Sequence, residues 1–153
     1  MPLPKTKLAY LAGIIDGEGC ITLVKESRSK RYEIRVTVKN TNLELMDWLK
    51  DNFGGYVGKN RKIIGWKQAY DWVITGGRAI KLLEKIKDFL IIKREQYLIV
   101  ITYQAAKIEA RKDGSPRNCC KEGLEKWQDA FDYLKGQLSL INKKGDYAIK
   151  TYN

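Results

Sequence analysis

The stretch Leu11-Ala12-Gly13-Ile14-Ile15-Asp16-Gly17-Glu18-Gly19 limits the fold most tightly, because it ends a small-residue helix on two carboxylates that neither packing nor solubility demands. Read as a helix from about Lys5, it places Ala9, Ala12 and Gly13 at i, i+3 and i+4, a flat strip that lets a second helix backbone approach closely. Leu8, Leu11, Ile14 and Ile15 supply apolar packing around the strip. Asp16 and Glu18 fall at the helix C-terminus, where about half a negative elementary charge from the macrodipole disfavours more. A bound cation resolves that conflict, so the spacing reads as a metal site beside a helix-docking face.

Composition narrows the partner. With 153 residues, 44% of them hydrophobic, the chain buries one real core, and with no evident linker residues 1–153 read as one domain. Lys and Arg number 29 against 18 Asp and Glu, a net charge of +11 without histidine, which favours a polyanion over a small acidic substrate. No apolar run approaches the roughly 18 residues of a spanning helix. The first five residues, Met1 to Lys5, lack a signal-peptide core. The expectation is therefore an intracellular protein without a membrane partner, cytoplasmic, at the nucleoid, or organellar, and not secreted. Three cysteines without C-x-x-C spacing, and no histidine, leave zinc, disulfide and triad chemistries without their groups. Cys20 reads as a small buried side chain opening a strand.

Period-two alternation begins directly after the acids. Ile21, Leu23 and Lys25 share one face and Thr22, Val24, Glu26 and Arg28 the other, with a polar turn over 27–30. Tyr32, Ile34, Val36 and Val38 then alternate with Glu33, Arg35, Thr37 and Lys39. Thr41 with Glu44 predicts a capping box for a helix bearing Leu45, Met46, Leu49 and Phe53, closed by Gly54-Gly55. A second hairpin follows through Tyr56 and Val57, a polar 59–62 segment, and a strand in which Tyr70, Trp72 and Ile74 alternate with Ala69, Asp71 and Val73. Gly76-Gly77 then breaks to a helix with Ala79, Ile80, Leu83 and Ile86. The order is αββαββα, an α+β fold with a four-stranded antiparallel sheet. Two further helices are predicted behind the sheet, one with Leu98, Ile101, Thr102, Ala105 and Ile108 on its buried face, and one at about 116–141 with Leu124, Trp127, Phe131 and Leu134.

The LAGIIDGEG helix and this element order, through about residue 105, resemble the LAGLIDADG homing endonucleases, with one copy of the eponymous motif present. The resemblance implies a curved four-stranded sheet and site-specific hydrolysis of both strands of double-stranded DNA. It also implies metal binding by the Glu18 carboxylate and the Gly17 carbonyl. Carboxylate and carbonyl donors select Mg²⁺ over softer metals, with Mn²⁺ or Ca²⁺ as other hard occupants. In the same likeness Asp16 is the motif's first acid and more structural, Asn40 orders water at the end of the second strand, and Lys93 places a cation near the scissile phosphate. A single motif implies a homodimer through Leu8, Ala9, Leu11, Ala12, Gly13 and Asp16, acting on a long pseudo-palindromic target, with an intron as the expected home of the gene. Relatives that act as intron RNA maturases, or that bind nucleic acid without cutting, are the alternative.

Charge gathers where such a sheet would meet DNA. Residues 25–39 hold six basic side chains against two acidic ones, and residues 59–67 hold four with no acid. The expected DNA-facing set is Thr22, Val24, Glu26, Arg28, Lys30, Arg31, Glu33, Arg35, Thr37, Lys39, Lys59, Arg61, Lys62, Lys67, Asp71 and Val73, a mixture able to address bases in the major groove and phosphates at its rim.

Overall fold

Alternating apolar side chains need one dry face, and a sheet of four antiparallel strands provides it in the computed structural model, which describes residues 3–25, 32–112 and 121–143. The strands are β1 (Gly19–Lys25), β2 (Tyr32–Asn40), β3 (Tyr56–Lys59) and β4 (Tyr70–Thr75), ordered β1-β2-β4-β3. Ile21, Leu23, Ile34, Val36, Val38, Trp72 and Ile74 are buried on the inner face. Three helices cover that face: α1 (Lys5–Glu18) through Leu11, Ala12 and Ile15, α2 (Leu43–Phe53) through Met46 and Leu49, and α3 (Gly76–Ile86) through Ala79, Leu82, Leu83 and Ile86. Each fully buried Leu or Ile contributes about 1.5–3 kcal/mol relative to exposure. The αββαββα order is the one the sequence predicts.

Two turns set the register of the second half. Asn40 Oδ1 accepts the Asn42 N–H at 2.9 Å, which turns the chain one residue later than a Thr41 cap requires. The α2 N-cap is therefore Asn42, whose Oδ1 accepts the Leu45 N–H at 3.0 Å, and the expected Thr41–Glu44 box does not form. At the other end of α2, Gly55 has φ +89°, and a Cβ there would lie 2.6 Å from the Val73 carbonyl oxygen. Only glycine lets β3 start this close to β4. The neighbouring Trp72 Nε1 donates to the Gly54 carbonyl at 2.8 Å, anchoring the largest core side chain to the same turn.

After a 3-10 turn (Lys87–Phe89) come α4 (Arg94–Lys112) and α5 (Lys121–Ile141), which pack on each other and on β1. The predicted buried stripe of α4 is reversed. Leu98, Thr102, Ala105 and Ile108 are exposed and Ile101 only half-buried, whereas Gln96, Val100, Tyr103 and Ala110 face inward. Polar anchoring chooses the face: the Tyr103 hydroxyl donates to the Tyr32 carbonyl and accepts the Tyr32 N–H at 3.0 Å. On α5, Phe131 and Leu138 are buried with Trp127 and Leu134 packed beside them, and the Leu124 side chain lies outside the described residues. Asn142 Nδ2 donates to the Ile21 carbonyl at 2.8 Å, tying the end of this region to β1.

Tyr32 also donates its hydroxyl proton to Asp132 Oδ1 at 2.6 Å. That bond, reinforced by burial and by the Asp132 charge, pushes the Tyr32 hydroxyl from its ordinary 10.0 up to about 12. A folded-state value raised above the unfolded one gives stability that is complete below about pH 10 and lost as pH rises toward 12. Tyr32→Phe should therefore be less stable than wild type at pH 8, with the gap closing between pH 10 and 12 in denaturant titrations. A gap constant across that window would contradict the role of this bond.

Candidate functional site

The end of α1 is shaped by Gly19. Its N–H bonds the Ile15 carbonyl, and a Cβ at this position would lie 2.7 Å from both Cα and O of Ile15, so a side chain cannot be placed without moving the helix. Helix passes to strand with no linker, and Asp16 and Glu18 leave it in different environments. Asp16 is half-buried and turned to its own chain. Its Oδ2 accepts the Ile91 N–H at 2.7 Å and its Oδ1 the Lys93 N–H at 2.9 Å, capping the approach to α4 from outside that helix. Lys93 Nζ returns a bond of 2.6 Å to the Asp16 carbonyl. An ammonium thus stands at the negative end of α1, so the charge conflict expected there is answered at Asp16 by amides and by Lys93. Glu18 is exposed and, among the described residues, its carboxylate has no such partner. Gly17, also exposed, belongs to the last turn, whose carbonyls lack helical partners.

Glu18 lines a depression of 280 Å³ with Lys39, Asn40, Thr41 and Ala69. The structure therefore brings Glu18 and Asn40 together, while Lys93 reaches the same helix end through Asp16. Lys39 Nζ lies 3.7 Å from Asp71 Oδ1, an exposed pairing of little energetic weight. Among the described residues no group of three or more acidic or cysteine side chains is gathered within one protomer.

Register assigns the outer face of the sheet, because directly paired residues of antiparallel strands point the same way. Thr22 pairs with Arg35 and Arg35 with Thr75, while Val24 pairs with Glu33. Thr37 aligns with Cys20 and Val73, and Val73 with Tyr56; Lys39 aligns with Asp71. Thr22, Val24, Glu33, Arg35, Thr37, Lys39, Asp71 and Val73 thus share one face, as their alternation predicts. Lys59 does not join them: it pairs with Tyr70, two residues from Trp72, so strand parity puts it on the opposite face. Arg61, Lys62 and Lys67 are exposed in the loop between β3 and β4, and Glu26, Arg28, Lys30 and Arg31 lie outside the described residues. Cys20 is half-buried on the outer face and not in the core; burial pushes its thiol above the ordinary value, with Lys93 and Lys135 acting in the opposite direction. A raised thiol is a poor nucleophile.

Tyr56, 68% exposed on the outer face, is absent from the predicted set. Its signal was the parity of β3 once Val57 is opposed to Trp72. Tyr56 lines an 820 Å³ groove with Glu33, Arg35, Arg78 and Lys81, and Arg35 Nε is buried there without a hydrogen-bond partner among the described residues.

The exposed strip of α1 differs from the one the sequence suggests. Leu11 and Ala12 are fully buried in their own protomer, Leu8 is half-buried, and both Asp16 oxygens are engaged within the chain. Ala9, Gly13 and Gly17 are exposed at i, i+4 and i+8, a small-residue ridge, and a Cβ on Gly13 or Gly17 would meet nothing within 4 Å.

Residues 11–93, more than half of the chain, match the family model described as LAGLIDADG endonuclease. Among curated proteins, no sequence matches the chain. The fold is similar to that of the homing endonuclease I-CvuI in complex with its target in the presence of calcium, with a TM-score of 0.65 and 22% identity over 94% of this chain and 85% of that one. It is also similar to the archaeal intron-encoded homing endonuclease I-Vdi141I complexed with DNA, at 0.64 and 19% over 97% and 90% of the two chains. Identities this low establish the fold. The family match stops at Lys93, short of the sequence-based limit near 105, whereas the structural likeness continues into α4 and α5.

Asp16→Ala removes the acceptor of two amides and should lower unfolding free energy by about 1–3 kcal/mol, with Asp16→Asn intermediate because one oxygen remains. Urea titration checks this; an Asp16→Ala protein as stable as wild type would mean that the clasp does not hold α1 to α4.

Proposed function

The chain belongs to the LAGLIDADG endonuclease family, and from that premise we propose that it is a homodimeric, divalent-metal-dependent enzyme that cuts both strands of a long, nearly palindromic DNA site. The observation that carries this reading is the division of labour between the motif acids. Asp16 is held by its own chain, whereas Glu18 is exposed beside Asn40 at the edge of a sheet face bearing Arg35, Thr37 and Lys39.

The donors fit a hard cation: the free Glu18 carboxylate and the Gly17 carbonyl are oxygen ligands of the kind Mg²⁺ takes, and one protomer offers only part of a coordination shell. The Ala9, Gly13 and Gly17 ridge supports completion by a second copy, since close packing of two α1 helices brings the two Glu18 carboxylates toward one axis. When bound, the cation supplies charge neutralisation at the phosphate and a more acidic water. The protein's own part is positional. Asn40 has its Oδ1 engaged by Asn42, which fixes the side chain so that its amide can donate to water near Glu18. Lys93, held by the Asp16 carbonyl, sets a fixed positive charge at the same helix end, where it favours the charge that develops on a cleaved phosphodiester. Outer-face residues of β1, β2 and β4 read bases while Arg61, Lys62 and Lys67 hold backbone phosphates.

Glu18→Gln should abolish Mg²⁺-dependent cleavage of a plasmid carrying the site while leaving duplex affinity within about tenfold. Full cleavage by this variant would remove Glu18 from the metal site, and wild-type binding without any cleavage would assign the chain to the non-cutting relatives.

Gly13→Leu tests assembly. A Cβ there meets open space in the protomer, so the variant should fold normally. Between two ridges the added side chain overpacks at about 1–3 kcal/mol or more, and sedimentation should report monomer. A dimer as tight as wild type would place the interface elsewhere.

A further inference from the structure

The loop between β3 and β4 carries a feature that the nuclease reading leaves unused. Within four residues it exposes Ile63 at 64%, Ile64 at 97% and Trp66 at 73%. Single exposed apolar side chains are ordinary, but three together at one tip mark a contact site. The tip is a built turn. Trp66 N–H bonds the Ile63 carbonyl at 3.1 Å and Gly65 has φ +84°, the pattern of a type II turn with Ile64 at its apex. The base is pinned as well: Asn60 N–H bonds the Ala69 carbonyl at 3.0 Å, and Gln68 Nε2 donates to the Asn60 and Ala69 carbonyls at 2.7 and 2.9 Å. Asn60 Nδ2 further donates to Asp71 Oδ1 at 3.0 Å, joining the loop to the outer face of the sheet.

Two observations choose the occupant. Arg61, Lys62 and Lys67 flank the apolar tip, all exposed, and residues 59–70 contain no acid, so the partner that matches this loop is polyanionic. The loop also adjoins the proposed site, because Ala69 shares the depression that holds Glu18 and Asn40. A polyanion with apolar surfaces to receive Ile and Trp, lying against that end of the sheet, is duplex DNA, whose stacked bases lie between phosphate rails. We propose that the 63–66 turn is an apolar wedge that enters the duplex beside the cleaved phosphates and unstacks a base step, with Arg61, Lys62 and Lys67 holding the adjoining backbone. The inference rests on the reading of the chain as a DNA endonuclease. It adds a deformation device to it: a step that unstacks easily would be preferred without any hydrogen bond to its bases.

The test uses the full-length protein in Ca²⁺ and a duplex selected by the wild type from a randomised library, with 2-aminopurine placed at successive central positions. Wild type should raise 2-aminopurine fluorescence at one step per half-site. The double variant Ile64→Ser, Trp66→Ser, altered only at exposed positions, should lose that signal and bind at least about tenfold more weakly, with the salt slope unchanged because no cation is removed. Equal fluorescence and affinity in the two proteins would overturn the wedge while leaving the nuclease reading intact. Loss of self-association by the double variant in sedimentation would also overturn it, since the tip would then be a protein contact. Failure of the wild type to enrich any duplex would sink the wedge together with the reading beneath it.

Discussion

The reciprocal clasp between Asp16 and Lys93 is the contact on which the site depends. Two backbone amides, at Ile91 and Lys93, donate to one carboxylate, and the Lys93 ammonium returns to the Asp16 carbonyl. Each half compensates a helix end: the acid meets the amides at the entrance to α4, and the cation meets the Asp16 carbonyl in the last turn of α1. The residues lie more than 70 positions apart in the chain, so the clasp orders a non-local junction and not a local turn. It also gives the two motif acids different surroundings. With both Asp16 oxygens engaged by its own chain, Glu18 is the motif acid exposed at the helix end.

The sheet depends on a second constraint, the exclusive assignment of its two faces. The inner face is dry, with Trp72, Val36 and Ile21 fully buried beneath α1, α2 and α3 and with α4 and α5 packed on β1. The outer face carries Arg35, Thr37, Lys39 and Asp71 in register, with Tyr56 extending it toward the β3 edge. A one-residue slip of β2 or β4 would exchange these sets and bury charge, and the Gly54-Gly55 turn and the Trp72 anchor fix β3 against β4 so that Tyr56 stays on the outer face.

What could be read from the sequence follows from which forces are local. The LAGIIDGEG helix, the alternation of β2 and β4, and the glycine breaks at 54–55 and 76–77 depend on neighbours within a few residues, and they appear in the structure where the pattern puts them. Choices made by distant partners were not legible. The face of α4 was decided by a hydroxyl of Tyr103 meeting Tyr32, whereas apolar spacing pointed to the Leu98 side. Asn42 displaced Thr41 as a cap because Asn40 had already bent the chain. Leu11 and Ala12 read as a docking strip because small and apolar residues serve a core and an interface equally, and only burial distinguishes them. The charge of Lys59 suggests a place on the outer face, although parity with Tyr70 puts it on the other side.

The roles proposed for the motif acids, a structural Asp16 and a metal-holding Glu18, are open to direct test. Anomalous scattering from Mn²⁺ in crystals of the dimer bound to its duplex tests them most directly. Density should lie within coordination distance of Glu18 and the Gly17 carbonyl, near the twofold axis, with Asp16 still bonded to the amides of Ile91 and Lys93. Manganese ligated by the Asp16 carboxylate, with those amide bonds broken, would contradict them.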